Sequence, residues 1–341
     1  MSTLRVDFVI FIWELKLYKR MRTITPRAPK ASRIVVIGGG TGVFTVLSGL
    51  RKYPVDLTAI ISMSDDGGST GILREEFGIL PPGDIRRALV AMSHTDDRIL
   101  SDLFNYRFEE GGLKGHSFGN IMLTALERIT GNFEEALNEA GRILNVKGKA
   151  IPVTLDNVRL CALLESGQCI RGETNIDIPK HDHNLKIKKI YLEPKAEINP
   201  RAESAIKEAD MIVLGPGDLY TSVIPNLLVG GVSRAIQKSR GKRVFVVNSM
   251  TKAGETNGFT AKDFLLVLEK YLGQKVLDYI IVNTKKPAPV RLTRYHEEGK
   301  TMVEAGELPS HPLPIFGDYI RHSGFVRHDP DRLAKVLVSL L

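Results

Sequence analysis

The residues best suited to chemistry are three aspartates, Asp65, Asp66 and Asp84, which follow the glycine run Gly38-Gly39-Gly40-Thr41-Gly42. Carboxylates beside a phosphate cradle suit Mg²⁺, which keeps several waters and bridges one or two aspartates to phosphate oxygens. Glycines suit the cradle itself, because they turn sharply and let phosphates approach bare backbone N–H groups. Asp84 follows Pro82-Gly83 and precedes a helical pattern, so helix capping competes with metal binding at that position. Arg86, Arg87 and Lys252 are the cations suited to pairing with phosphate. A second turn, from Gly215 and Gly217 to Thr221 and Ser222, adds hydroxyls for phosphate oxygens. No Ser/His/Asp or Cys/His arrangement points to covalent catalysis; His116 is a candidate for proton transfer, but its loop offers no partner. His181 and His183 have no further Cys or His at ligand spacing nearby, which favours a solvated loop.

These residues need strands and helices to hold them. Ile34–Ile37 is a β-branched run with the composition of a buried parallel strand. After the glycines, Val43, Val46, Leu47 and Leu50 recur at helical spacing, and Leu57–Ile61 reads as a second strand ending at the aspartates. The unit is β-α-β, with its phosphate turn and its carboxylates at strand ends that should share one crevice. The dinucleotide fingerprint is incomplete, because Thr45 stands where its third glycine belongs, and no Walker lysine follows. A nucleotide-type site is expected; tightly bound NAD or flavin is not.

Further along, a rigid turn at Leu80–Asp84 precedes a helix over Ile85–Met92, and helical spacing recurs at Ile72–Phe77, Arg98–Phe108, Ile121–Ile129 and Glu134–Leu144. From about 151 to 194 the pattern changes to short β-rich runs, which reads as a small antiparallel insertion. The α/β rhythm resumes at Met211–Leu214, with a helix to about Gln237, a strand at Val244–Val247, a helix at Phe264–Leu272 and a strand at Tyr279–Val282. Strand ends near residues 38, 65, 215 and 248 all lead into Gly, Ser, Thr, Asn or Asp. The expected fold is α/β: a Rossmann-like, doubly wound, mostly parallel sheet over 33–341 with the β-rich insertion.

A hydrophobic content of 43% and a charged content of 25% are ordinary for a folded globular chain of 341 residues. The net charge of +8 is concentrated at one end, since residues 1–33 hold eight basic side chains against Asp7 and Glu14. The rest is nearly neutral, which argues against nucleic acid as a partner. Residues 1–32 read as a basic, poorly ordered extension ahead of the domain. Their apolar run, Phe8–Trp13, is far short of the about 20 residues that span a membrane, so no stable membrane insertion is expected. The chain has two cysteines, Cys161 and Cys169. A two-residue hairpin turn at Ser166-Gly167 would send them to opposite sheet faces, which argues against a disulfide and for the cytoplasm.

Several longer motifs carry a resemblance. Ile-Gly-Gly-Gly-Thr-Gly at 37–42, Ser-Asp-Asp-Gly-Gly-Ser at 64–69, Leu-Pro-Pro-Gly-Asp-Ile-Arg at 80–86 and His-Ser-Phe-Gly-Asn at 116–120 resemble the gluconeogenesis factor family. So do Gly-Glu-Thr-Asn-Ile at 172–176, Leu-Gly-Pro-Gly-Asp-Leu-Tyr-Thr-Ser at 214–222 and Asn-Ser-Met-Thr-Lys-Ala-Gly-Glu-Thr at 248–256. That family is similar in fold to the 2-phospho-L-lactate transferases. The resemblance implies a cytoplasmic protein needed for cell shape on gluconeogenic carbon sources that binds a UDP-sugar such as UDP-N-acetylglucosamine, and a homo-oligomer is expected. It places a metal at Asp65 or Asp66 with Asp84, and ligand contacts at Tyr295, in Tyr-x-Glu-Glu-Gly, and Arg327, in Arg-His-Asp-Pro; Asn120 joins the expected contacts. The alternative it leaves open is a metal-dependent phospho-transferase.

Overall fold

The computed structural model describes residues 31–94 and 98–341, and all but the last two residues of the basic extension lie outside them. The organising element is strand β1 (Arg33–Gly38), whose Ile34, Val35, Val36 and Ile37 are buried on both faces. It pairs in parallel with β2 (Asp56–Ile61) on one side and β7 (Met211–Leu214) on the other. β3 (Lys149–Pro152) extends the sheet beyond β2, and β8 (Lys242–Val246), β9 (Tyr279–Asn283) and β10 (Leu313–Gly317) extend it beyond β7. The order is β10-β9-β8-β7-β1-β2-β3, with every neighbouring pair parallel. Chain order therefore runs outward in both directions from β1. The reversal lies between β1 and β7, and the carboxyl ends of such a pair are where open α/β sheets bind ligands.

Helix Gly40–Leu50 follows β1 and buries Val43, Val46, Leu47 and Leu50, the apolar stripe expected from their spacing. Helix Pro330–Ser339, with Asp329 accepting from the N–H groups of Asp331 and Arg332 as its cap, buries Leu333, Ala334 and Leu337. The two helices meet so closely that a Cβ on Gly49 would lie 2.1 Å from the Pro330 carbonyl oxygen.

The β-rich insertion is present as a separate antiparallel sheet, β5-β4-β6, made of β4 (Arg159–Leu164), β5 (Cys169–Arg171) and β6 (Ile187–Glu193). Ile151 and Pro152 belong instead to β3, opposite Ile60 and Ile61 in the main sheet, so the insertion opens after Pro152. The hairpin register also differs from expectation. Leu163 faces Cys169 and Cys161 faces Arg171, one residue away from the pairing that a two-residue turn would set. A one-residue slip moves a whole strand's side chains to the other face. Cys161 and Cys169 consequently share a face, as free thiols, one buried and one exposed. Among the described residues no helix is long and apolar enough to cross a membrane.

Candidate functional site

The four polar strand ends open into one cleft of about 570 Å³. Gly39–Gly42 after β1, Asp65 and Gly67 after β2, Gly217 and Ser222 after β7, and Asn248 and Lys252 after β8 all line it. Asp84, Asn120, Tyr295 and Arg327 reach the same cleft from other elements, joined by Arg87, Arg107, Glu173, Asp177, Lys300 and His328. Of the residues expected at the site, Gly38, Asp66, Gly215 and Thr221 lie outside its lining.

The glycine turn does two jobs. Gly40, at φ +66°, takes the left-handed conformation that favours glycine. Its N–H donates to Asp84 Oδ2 at 2.8 Å, so the carboxylate of Asp84 caps the helix that follows β1 rather than its own. A carboxylate at that end also suits the helix dipole. Gly39 and Gly42 serve packing. A Cβ on Gly39 would lie 2.7 Å from Asp84 Oδ2, and one on Gly42 would lie 2.0 Å from the Pro216 carbonyl oxygen. The turns after β1 and β7 are thus pressed together at the switch point, and only glycine fits between them.

The carboxylates part company. Asp65 and Asp84 are neighbours: burial, and then the charge of Asp84, push the Asp65 carboxyl up to about 6. A Cβ on Gly83 would lie 2.4 Å from Thr70 Oγ1 and 2.8 Å from Asp65 Oδ2. Asp66 turns towards the insertion, accepting from the Thr174 N–H at 2.9 Å and pairing with Arg159 at 3.6 Å. Its geometry makes it a tie between body and insertion rather than a third member of the carboxylate pair. Glu173 instead brings its carboxyl to the cleft, where burial and the charges of Asp65 and Asp177 push it up to about 9. At neutral pH Glu173 is a protonated acid and so a hydrogen-bond donor.

The cations also differ in what they are free to do. Arg86 is buried and spent: its guanidinium donates to Asn120 Oδ1 (3.0 Å), the Phe104 carbonyl (2.7 Å) and Asn105 Oδ1 (2.8 Å). Asn120 is thereby committed too, since its amide nitrogen donates to Ser69 Oγ at 3.3 Å. Lys252 lies 2.8 Å from Asp177 and 3.6 Å from Asp218. Burial alone would lower its pKa, but these two carboxylates more than offset that and the net shift is upward. Ligand atoms of Asp177, Asp218 and Glu255 lie within 4.8 Å of one another, and Lys252 supplies positive charge there. Glu255 is further held by the Tyr220 N–H (3.1 Å) and the Thr221 hydroxyl (3.0 Å), which is the work Thr221 does. Arg87, half exposed and 3.3 Å from Asp84, and the exposed Arg327 remain open to a ligand.

His116 has a partner that its own loop did not reveal. Its Nδ1 lies 3.3 Å from Ser69 Oγ, a hydroxyl that also receives the Ser117 N–H at 3.2 Å. With Ser117 and Asn120 both donating to it, the Ser69 hydroxyl directs its own hydrogen to His116. His181 and His183 lie in the insertion, outside the cleft lining.

Tyr295 and Arg327 enter from the C-terminal part. The Tyr295 hydroxyl accepts the Val326 N–H at 3.0 Å, and its ring packs against the small cluster of Met250, Ile320 and Val326. Arg327 lies over the exposed Phe325 ring, 5.3 Å from its centroid. His328 is buried, its imidazole pushed down to about 4 by burial, and sits 3.3 Å from Ser249 Oγ.

Comparison with known proteins gives a consistent picture. The profile of 2-phospho-L-lactate transferase CofD matches residues 34–311. A protein of Clostridium acetobutylicum is 44% identical over 317 residues, which cover 92% of this chain and 70% of that protein. The gluconeogenesis factor of Bacillus subtilis is 40% identical over 316 residues, covering 91% of this chain and 98% of its own length. A crystal structure of a UPF0052-family protein from Bacillus halodurans superposes with a TM-score of 0.84 at 38% identity, covering 91% of this chain and 99% of that one.

Proposed function

This chain belongs to the CofD family and, within it, to the gluconeogenesis factors; on that footing we propose that its cleft binds a UDP-sugar of the UDP-N-acetylglucosamine kind and that the protein acts as a cytoplasmic regulator of cell shape on gluconeogenic carbon. One observation carries the reading. Tyr295 and Arg327, from the far end of the chain, line the same cleft as the glycine turn after β1, at the switch point of the sheet. An aromatic ring for the base, a guanidinium that forks a diphosphate and the N–H groups of the helix start beyond Gly40, whose own N–H Asp84 takes, are what a nucleoside diphosphate requires.

A second reading, phospho-transfer, draws on a different pair of residues. Asp65 and Asp84 are adjacent hard oxygen donors, and burial, with the charge of Asp84 adding to it, raises the Asp65 carboxyl. They fit a Mg²⁺ ion, which would neutralise phosphate charge when bound. Binding without turnover is the favoured reading, because Arg86, Lys252 and Asn120 are consumed in holding the cleft together.

Calorimetric titration with UDP-N-acetylglucosamine, with and without Mg²⁺, tests both. Tyr295→Ala removes a stacking surface worth about 1–3 kcal/mol, and Arg327→Ala removes a charged hydrogen-bond donor worth about 1.5–3 kcal/mol. Each variant should bind roughly ten- to a hundred-fold more weakly. Equal affinity in wild type and both variants would remove the assignment. Product formed by phospho-transfer on long incubation would put the transferase first.

A further inference from the structure

The segment that presents Arg327 is held by a residue that does not itself line the cleft. Arg291, at the end of the short 3-10 turn Pro289–Arg291, points its guanidinium at five consecutive backbone carbonyls. Nη1 donates to Arg321 at 2.9 Å and His322 at 3.2 Å, Nε to Gly324 at 3.0 Å, and Nη2 to Ser323 at 3.4 Å and Phe325 at 3.1 Å. The loop is closed behind them by the Arg321 N–H donating to the Arg327 carbonyl at 2.9 Å, next to a bridge between Ile320 and His328.

We propose that Arg291 is the positioning residue of the ligand site: by gathering the carbonyls of 321–325 it fixes the loop whose next residues are Val326 and Arg327. The inference rests on the UDP-sugar reading for its ligand, though not for its geometry. Two contacts join Arg291–Glu297 to Tyr319–His328, and a third holds Arg327 within the second segment. Val326 donates its N–H to Tyr295, Arg294 lies over Phe325 at 5.8 Å, and Arg327 lies over the same ring at 5.3 Å. Turning five carbonyls inward needs several donors in one rigid plane. Guanidinium offers five N–H donors in a fixed fork, whereas an ammonium offers three from one point. Lysine therefore keeps the charge and loses the clamp.

The test is made on Arg291→Lys in the full chain, with Arg291→Gln as the second variant should lysine prevent folding. Amide hydrogen exchange without ligand should quicken about ten-fold or more in peptides covering 319–328, with the peptides of β1, β7 and β8 unchanged. UDP-N-acetylglucosamine affinity should fall about ten-fold, and the double variant with Arg327→Ala should bind no more weakly than Arg327→Ala alone, because Arg291 acts through Arg327. Loop exchange equal to wild type would overturn the proposal whatever the ligand. Additive losses in the double variant would overturn it as well, by separating Arg291 from Arg327. If wild type binds no UDP-sugar, the functional reading fails while loop exchange still decides the role of Arg291.

Discussion

Replacing Gly42 with alanine should leave little folded protein. The added methyl would lie 2.0 Å from the Pro216 carbonyl oxygen, 2.5 Å from its carbonyl carbon and 3.1 Å from the Gly217 nitrogen. All three are backbone atoms, so no side chain can swing aside. Overpacking a core costs about 1–3 kcal/mol when neighbours can shift, and more when they cannot. Here the parts forced apart are the turns after β1 and β7, central strands of the main sheet. A loss at or above the top of that range is a large share of the about 5–15 kcal/mol that holds a domain together. Gly112→Ala is the control, since its Cβ would meet nothing within 4 Å. Thermal melts should show Gly112→Ala unchanged and Gly42→Ala many degrees lower or insoluble. Equal melting of the two would refute close packing of the turns.

Asp65→Asn should stabilise the protein near neutral pH. The carboxyl titrates at about 6 in the folded chain against an ordinary 3.8. The native state therefore holds its proton more tightly than the unfolded chain does. Its contribution to stability is fully present below about 3.8 and is lost as pH rises through about 6. At about 1.36 kcal/mol for each tenfold change in proton affinity, the loss amounts to about 3 kcal/mol at pH 7. Asparagine keeps the shape and can accept the Gly67 N–H that Asp65 holds at 3.0 Å. A rise in melting temperature of about 5 °C at pH 7.5 follows from the usual entropy per residue, narrowing at pH 5. Millimolar Mg²⁺ should raise the melting temperature of wild type and not of the variant. A variant less stable than wild type at pH 7.5, or an equal difference at both pH values, would refute the strained carboxylate pair.

Much of this fold was legible in the sequence because its signals are local. Ile34–Ile37 and Leu57–Ile61 are uninterrupted β-branched and aliphatic runs, and a buried parallel strand requires that composition whatever surrounds it. What was hidden depended on contacts between distant segments. Asp65 and Asp66 are indistinguishable neighbours in sequence, yet one meets Asp84 and the other meets Thr174 of the insertion. Lys252 has the look of a phosphate ligand in sequence, but Asp177 and Asp218 stand beside it in the fold. The hairpin register turned on one extra residue in a turn, which no propensity distinguishes. The last helix could have been read: Asp329-Pro330 is a cap followed by proline at the first helical position, and Leu333, Ala334 and Leu337 keep helical spacing. β10 gave less signal, with Leu313 and Phe316 exposed on an edge strand.

The outward winding of the sheet has a consequence for how the chain is made. β1 leaves the ribosome before the strand on its far side, β7, which follows about 177 residues later, and Arg327 lags Gly42 by 285. At about 5–20 residues per second, roughly 15–60 s separate synthesis of the phosphate turn from synthesis of the arginine that completes the cleft. Throughout the first part of that interval Ile34–Ile37 has one edge unpaired, an aliphatic template for any other strand nearby. Ligand cannot shelter it, because the cleft does not yet exist.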